Sequence, residues 1–319
     1  MSPKRKTPVT TAMLAKLCGV SQGTVDRALH DRAGIKPATR EQILSVAKEY
    51  GYRPNIHAQS LVSGKSSVIG IVVFDLYNDY FSEMIMNLEN VISQENLHSV
   101  IMFSEKNMNR EKECIQALYA MGADGLILCP VNGGEAFGRY LNALGIPVVT
   151  VGNRVPGIPY VGVDNYRAMY ELTKYRIAQG YRKLHYYAPV LSRIGSNIDA
   201  QEQRYQGFQA AAKEANVSYD LFTRQPENLS ELCHGQDTAV FASTDHYALR
   251  LIYAGIPANQ LSGFDAINAL SRYCIPLLTV GSNFSQTASV IVSMLTGDLP
   301  AADRIIPHNI LFPLLHIIS

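Results

Sequence analysis

Two hydrophobic periodicities divide the chain, with the change near residue 66. Across residues 10–29 the apolar positions predict two short helices joined by a tight turn. Gly19 supplies the turn, where a positive φ is often needed, and Ser21 is a good N-cap for the second helix. Ala15 is small enough for close packing and Val25 plugs the helix crossing. Val25 and Leu29, at i and i+4, point inward, which leaves Gln22, Gly23, Asp26 and Arg27 outward. A third helix is predicted from Pro37 to the stop signal Gly51, with Ile43, Leu44, Val46 and Ala47 as its packing face. In residues 52–64, Pro54 and Asn55 predict one or two helical turns ending near Ser63. So short a helix is marginal in water and needs a partner chain or DNA to hold it.

From residue 67 short β-rich runs alternate with helical periods. Strands are predicted at Ser67–Asp75, Ser99–Glu105, Ala123–Pro130, Pro147–Asn153, Lys183–Pro189, Ala239–Asp245, Leu261–Asp265 and Leu278–Asn283. Helices fall between many of them, including Ser82–Gln94, Arg110–Met121, Tyr166–Gln179, Gln201–Ala215 and Thr244–Ala254. Strands with few polar positions, separated by helices, imply parallel sheets covered on both faces. Eight such strands exceed one doubly wound core, so two lobes with a cleft between them are expected.

Charge sharpens this division. The formal charge of the whole chain is +1, but residues 1–66 hold eleven Lys and Arg against four Asp and Glu. The remainder is correspondingly acidic, so a basic head for a polyanion joins a near-neutral body. The five cysteines (Cys18, Cys114, Cys129, Cys233, Cys274) lack Cys-x-x-Cys spacing and are expected to be apolar fillers in a reducing compartment. Lys4, Arg5 and Lys6 are followed by no apolar run, so no signal peptide is expected. No stretch of about 18 apolar residues predicts a membrane span. These features predict a cytoplasmic protein without membrane contact.

Candidate chemistry lies in two places. The outward set of the second helix suits the major groove of DNA, the alternative being an ordinary helical hairpin. In open α/β sheets ligands bind beyond the carboxyl ends of strands. The polar residues ending the predicted strands are Asp75, Asn153, Thr244, Asp245, Asp265, Ser282 and Asn283. Asp245 is expected to cap the following helix. No Gly-x-Gly-x-x-Gly, phosphate-binding Gly-Lys loop, His-x-x-x-His pair or nucleophilic triad is recognisable. The sequence therefore predicts no enzyme, no metal and no cofactor. A sugar-processing enzyme, or a sugar-binding protein without DNA regulation, is the alternative.

The order of these parts resembles the LacI/GalR family of bacterial transcriptional regulators over essentially the whole chain. The residues that carry the resemblance are Val9-Thr10, Gly19-Val20-Ser21, Thr24-Val25-x-Arg27, Thr39-Arg40 and the Tyr52, Pro54-Asn55, Ala58, Leu61 series. In the body they are Ser67, Ile69-Gly70, Gly125-Leu126-Ile127, Arg204, Gly207-Phe208, Gly263-Phe264-Asp265 and Pro276-Leu277-Leu278-Thr279-Val280. The resemblance implies an N-terminal all-α helix-turn-helix head (1–51), a hinge (52–65) and an α/β body (66–319). That body would have a two-lobed, periplasmic-binding-protein-like (type I) fold with parallel sheets. Its first lobe would comprise about 66–164 and 284–308, its second about 165–283 and 309–319.

By the same resemblance Gln22, Gly23 and Arg27 face base edges, and Thr10, Ser21, Thr24 and Thr39 reach phosphates. Asn55 and Ala58 belong to the DNA-binding hinge, whose Leu61 enters the minor groove as an apolar wedge. Tyr80 and Phe81 would wall an effector site in which Arg204 and Asp265 make the main polar contacts. Asp75, Asn153, Thr244 and Ser282 would surround them. Thr244 stands where relatives often carry asparagine, and Gly152 where many place a carboxylate. Gly23 offers no side chain to bases, and Asp26 would either accept from a cytosine amino group or orient Arg27. The implied partners are a pseudo-palindromic double-stranded operator, a second copy of the chain and a small effector. A neutral sugar is expected as that effector, because a phosphorylated one needs more cationic groups than Arg204 alone. No heptad segment follows the body, so a homodimer rather than a tetramer is expected.

Overall fold

The computed structural model describes residues 9–52, 65–192, 195–224, 232 and 235–312, and the chain divides into units 1–66 and 67–319. The first unit contains helices α1 (Thr11–Cys18), α2 (Gln22–Leu29) and α3 (Pro37–Glu49). Thr10 caps α1 by accepting from the Met13 N–H at 3.2 Å, and Ser21 caps α2 by accepting from the Thr24 N–H at 3.2 Å. Gly19 ends α1 at φ 68°, a conformation a side chain would strain. Leu14, Val25 and Ile43, one from each helix, are fully buried in one cluster with Ala15, Ala28 and Ala47. Burial of each large side chain contributes about 1.5–3 kcal/mol. On α3 the packing face is narrower than the sequence predicts. Ile43 and Ala47, at i and i+4, are buried, whereas Leu44 projects a further 100° round the helix and is exposed. The expected hinge turns, with Asn55, Ala58 and Leu61, lie outside the described residues.

In the second unit a four-stranded parallel sheet has the order β2-β1-β3-β4, formed by β1 (Val68–Val73), β2 (His98–Phe103), β3 (Gly125–Leu128) and β4 (Val148–Thr150). Helices α4 (Asp79–Gln94) and α11 (Phe284–Thr296) share one core with this sheet. Helices α5 (Met108–Ala120) and α6 (Gly134–Asn142) share the other.

The second lobe repeats the plan with a parallel sheet ordered β7-β6-β8-β9. Its strands are β6 (Lys183–Tyr187), β7 (Ser218–Phe222), β8 (Thr238–Ala242) and β9 (Leu261–Ser262). Helices α7 (Asn165–Ala178) and α8 (Asp199–Glu214) pack on one face, α9 (Asp245–Tyr253) and α10 (Asn268–Arg272) on the other. Along β8, Ala239 and Phe241 face the first of these cores and Val240 and Ala242 the second. That is why the strand reads as a continuous apolar run.

Two strand pairs complete the lobes. β5 (Val161–Gly162) lies parallel to β11 (Arg304–Ile305), and β10 (Thr279–Ser282) antiparallel to β12 (His308–Leu311). The chain thus passes between lobes after β5, after β10 and between β11 and β12. The β10–β12 pair departs from the parallel expectation. Strands β5, β7, β11 and β12 are not among the predicted strands; β5 and β11 have only two residues each, and β7 and β12 are short and interrupted by Asp220, His308 and Asn309. The predicted strands also run several residues too long. Their polar C-terminal ends leave the sheets as loops, and those loops form the cavity described below.

Candidate functional site

In the head, Gln22, Gly23 and Arg27 are exposed on α2, and Thr24 is half-buried beside them. The Ser21 and Thr24 hydroxyls lie 2.9 Å apart, which fixes both near the start of the helix. Thr10 is exposed at its cap and Thr39 half-buried in the first turn of α3. Asp26 does not turn toward Arg27. It pairs instead with Arg32 at 3.2 Å and with His30 at 3.0 Å, while Asp31 pairs with Arg40. Both nearby carboxylates are therefore occupied, and among the described residues Arg27 has no ion-pair partner. A guanidinium left in water on a polar helix face retains its five donors for an external acceptor.

In the body, the strand-end loops enclose a cavity of about 380 Å³. Its most buried polar pair is Arg204 on α8 and Asp265 after β9, only 6% and 5% exposed. Arg204 donates from Nη2 to Asp265 Oδ1 at 3.2 Å, from Nε to Asn165 Oδ1 at 2.8 Å and from Nη1 to the Ser243 carbonyl at 2.7 Å. Its guanidinium stacks 3.6 Å from the Phe264 ring centre. The placement depends on Gly207, one turn further along α8. A Cβ there would sit 2.1 Å from the Tyr166 carbonyl oxygen, so only glycine lets α8 lie this close to the start of α7. Burial raises the Asp265 carboxyl to about 6, against the lowering effect of Arg204.

The loop on either side of Asp265 is held by Asp245, a residue expected to play another part. Thr244, predicted as a ligand contact, lines the cavity but is also the N-cap of α9, accepting from the Tyr247 N–H at 3.3 Å. Asp245 is not that cap. Its carboxylate is wholly buried, accepting from Thr279 Oγ1 at 2.6 Å and from the Ile267 N–H at 3.1 Å. Between these anchors Asp265 and Ala266 hold φ values of 116° and 50°, unusual for non-glycine residues. Gly263 makes room, since a Cβ there would lie 2.0 Å from Asp245 Oδ1. Desolvation first, and then the Asp265 charge, push the Asp245 carboxyl up to about 7.

Among the other expected contacts, Asp75, Tyr80, Phe81 and Asn153 line the same cavity. Tyr80 and Phe81 open α4, their rings 5.0 Å apart edge to face, with Phe74 packed 4.4 Å from Phe81. Burial raises the Tyr80 hydroxyl well above its ordinary value, so the ring presents a neutral phenol. Asn153 acts as a clasp. It donates to the carbonyls of Asn197 at 2.8 Å and Pro130 at 3.2 Å, and accepts from the Ala200 N–H at 3.1 Å. Both amide donors are thereby committed within the protein. Ser282 does not reach the main cavity. It borders a small adjoining void of about 20 Å³ with Tyr80, Gly152 and Arg204, because β10 ends behind the buried pair. Gly152 adopts φ 81°, where a carboxylate-bearing side chain would be strained.

The cavity also gathers Asn78, Lys106, Asn197, Gln201, His246 and Arg250, which the sequence reading missed. Lys106 pairs with Asp75. The premise that Arg204 is the only cation available to a ligand therefore fails. No spacing rule marks these residues, since they come from loops and helix faces far apart in sequence. Among the described residues no cluster of metal-ligating side chains occurs, and no helix is long and apolar enough to cross a membrane.

A two-lobed α/β body with a cavity at its strand ends, preceded by a helix-turn-helix head, defines a class of ligand-binding regulators, and comparison with known proteins narrows it. Residues 66–230 match the periplasmic binding proteins and sugar binding domain of the LacI family, and residues 14–55 match the bacterial regulatory proteins of the lacI family. The chain belongs to the LacI family. It is 31% identical over 174 residues to catabolite control protein A of Staphylococcus xylosus, covering 54% of this chain and 53% of that one. It is 29% identical over 209 residues to the HTH-type transcriptional regulator RegA of Clostridium saccharobutylicum, covering 65% and 62%. The chain thus spans between about half and two thirds of the length of these relatives. In fold it is similar to the lac repressor dimer bound to operator and the anti-inducer ONPF, with TM-score 0.80, 18% identity and coverage of 96% and 98%.

Proposed function

We propose that the chain is a DNA-binding transcriptional regulator, acting as a repressor in the bacterial cytoplasm, whose operator affinity is set by a sugar-like effector in the body cavity. The observation that carries the reading is Arg27, exposed on α2 without an ion-pair partner among the described residues and flanked by Gln22 and Gly23. Its fork matches the O6 and N7 acceptors of guanine, while Thr10, Ser21, Thr24 and Thr39 serve phosphates. Asn55, Ala58 and Leu61 extend the contact into the minor groove. One head makes few contacts, so a homodimer on a pseudo-palindrome is required. In the body, the buried Arg204–Asp265 pair, the aromatic wall of Tyr80 and Phe81, and Asp75, Asn153 and Thr244 form the effector site, with Ser282 behind it. A ligand that prefers one arrangement of the two lobes shifts the population competent for DNA. The operator and anti-inducer held together by the lac repressor support this coupling by analogy.

Selection of duplexes from a random pool by the full chain, followed by anisotropy titration, tests the reading. A paired motif with a guanine in each half-site is expected, and Arg27→Ala should weaken binding at least tenfold, the worth of one bidentate base contact. Enrichment of no sequence, or equal affinity for Arg27→Ala, overturns it.

A further inference from the structure

The cavity is lined by two chemically different sets of charged side chains. In one, Arg204 and Asp265 neutralise each other and are fixed by Asn165 and the Ser243 carbonyl. The other, Lys106, His246 and Arg250 with Asp75, brings an excess of basic groups to the cavity. Lys106 is carried into it by two successive non-glycine residues in the left-handed region, Glu105 at φ 53° and Lys106 at φ 60°. Such a conformation is unfavourable for L residues. His246 and Arg250 reach the cavity from α9, one turn apart on the same face. Burial first, and then the positive charges of Arg250 and Lys106, hold the pKa of the half-buried His246 ring below its ordinary value. Asp79 and Asp75 oppose that effect, but Asp79 does not line the cavity. Among the charged residues that do, Lys106 is paired with Asp75 and Arg204 with Asp265. Arg250 is left as an exposed cation with no ion pair among the described residues.

We propose that the cavity takes an acidic polyol, a sugar acid or sugar phosphate, with its hydroxyls toward Arg204 and Asp265 and its anionic group toward Lys106, His246 and Arg250. This rests on the effector reading above and names the ligand class. A carboxylate or phosphate oxygen gains charge-assisted hydrogen bonds there that a neutral hydroxyl does not. A single negative charge also balances the surplus that Arg250 leaves. A dianion would in addition favour protonated His246, so phosphate esters draw on all three cations.

Matched ligand sets test the assignment on the full-length protein by thermal shift, with sodium chloride of equal ionic strength as control. D-glucose is compared with D-gluconate and glucose 6-phosphate, and D-ribose with D-ribonate and ribose 5-phosphate. At least one acidic member should raise Tm more than its neutral parent, because only the native state binds it. Whether carboxylate or phosphate responds identifies the anionic group. Arg250→Gln should weaken binding of the responding acid about tenfold or more, and Lys106→Gln likewise. Both side chains are solvent-accessible, and circular dichroism of each variant checks its fold. A neutral sugar that stabilises as well as its acids, or an acid response untouched by both substitutions, overturns the anionic assignment while leaving a sugar effector in place. Silence of the whole panel, neutral and acidic, overturns both.

Discussion

Replacing Gly23 by alanine should make the head more stable and the operator complex weaker. Gly23 occupies the second position of α2 and has no positive φ to excuse it. A Cβ built there meets nothing nearer than Ser21 Oγ at 3.8 Å, an ordinary contact. Among the described residues no packing therefore requires glycine, which in a helix interior costs about 0.5–1 kcal/mol relative to alanine. If α2 lies in the major groove, the missing Cβ lets backbone and DNA approach more closely than any other residue would. Alanine then gains stability in the free head and loses contact in the complex. Hydrogen exchange of α1–α3 amides in the full-length protein should slow about two- to fivefold, the range set by that gain. Operator affinity measured by anisotropy should fall about tenfold, equivalent to about 1.4 kcal/mol. The opposite signs separate this from a general folding effect. An alanine variant that binds operator as well as the parent, with the slower exchange, would refute close approach at Gly23.

Two further predictions concern the cavity. Arg204→Met leaves Asp265 buried without its counter-charge and should destabilise the body by about 3 kcal/mol in urea denaturation while abolishing the effector-induced Tm shift. The double variant with Asp265→Leu should recover much of the stability and none of the ligand response; a ligand response surviving in either variant would remove the pair from the site. For Asp245 the folded carboxyl titrates at about 7, above its ordinary value of 3.8. The native state therefore holds a proton that the unfolded chain has released. Stability should rise as pH falls from 8 toward 6, with a slope approaching about 1.4 kcal/mol per pH unit for the one proton. Asp245→Asn, which mimics the protonated form, should flatten that slope, and an unchanged urea midpoint profile between pH 6 and 8 would contradict the assignment.

The residues legible in sequence share one property: their position is dictated locally. Ser21 and Thr10 cap helices that begin beside them, and Gly19 satisfies a turn that admits little else. Asp75, Asn153 and Asp265 stand at the ends of apolar runs, where open α/β sheets leave their ligand crevice. The polar endings that made the strands look too long mark the same loops. What local rules do not supply is the partner of each polar group. Thr244 and Asp245 are adjacent, and either residue type can cap α9. The choice is decided by the Thr279 hydroxyl and the Ile267 N–H, which tertiary packing delivers to Asp245 from 34 and 22 residues away. Asp26 was open to a base or to Arg27 for the same reason, until Arg32 and His30 claimed it.

Charge in the cavity is the least local property of all. Lys106, His246 and Arg250 come from two lobes and carry no motif, yet the proposal of an acidic rather than a neutral polyol rests on them. Arg204 and Asp265 belong to the motifs that carry the family resemblance, whereas Lys106, His246 and Arg250 belong to none of them, so the charge they bring to the cavity is this chain's own. On the function proposed above the same holds in the head, where Gly23 offers no side chain and Asp26 pairs with Arg32 and His30, so base recognition would rest on Gln22, Arg27 and a second copy.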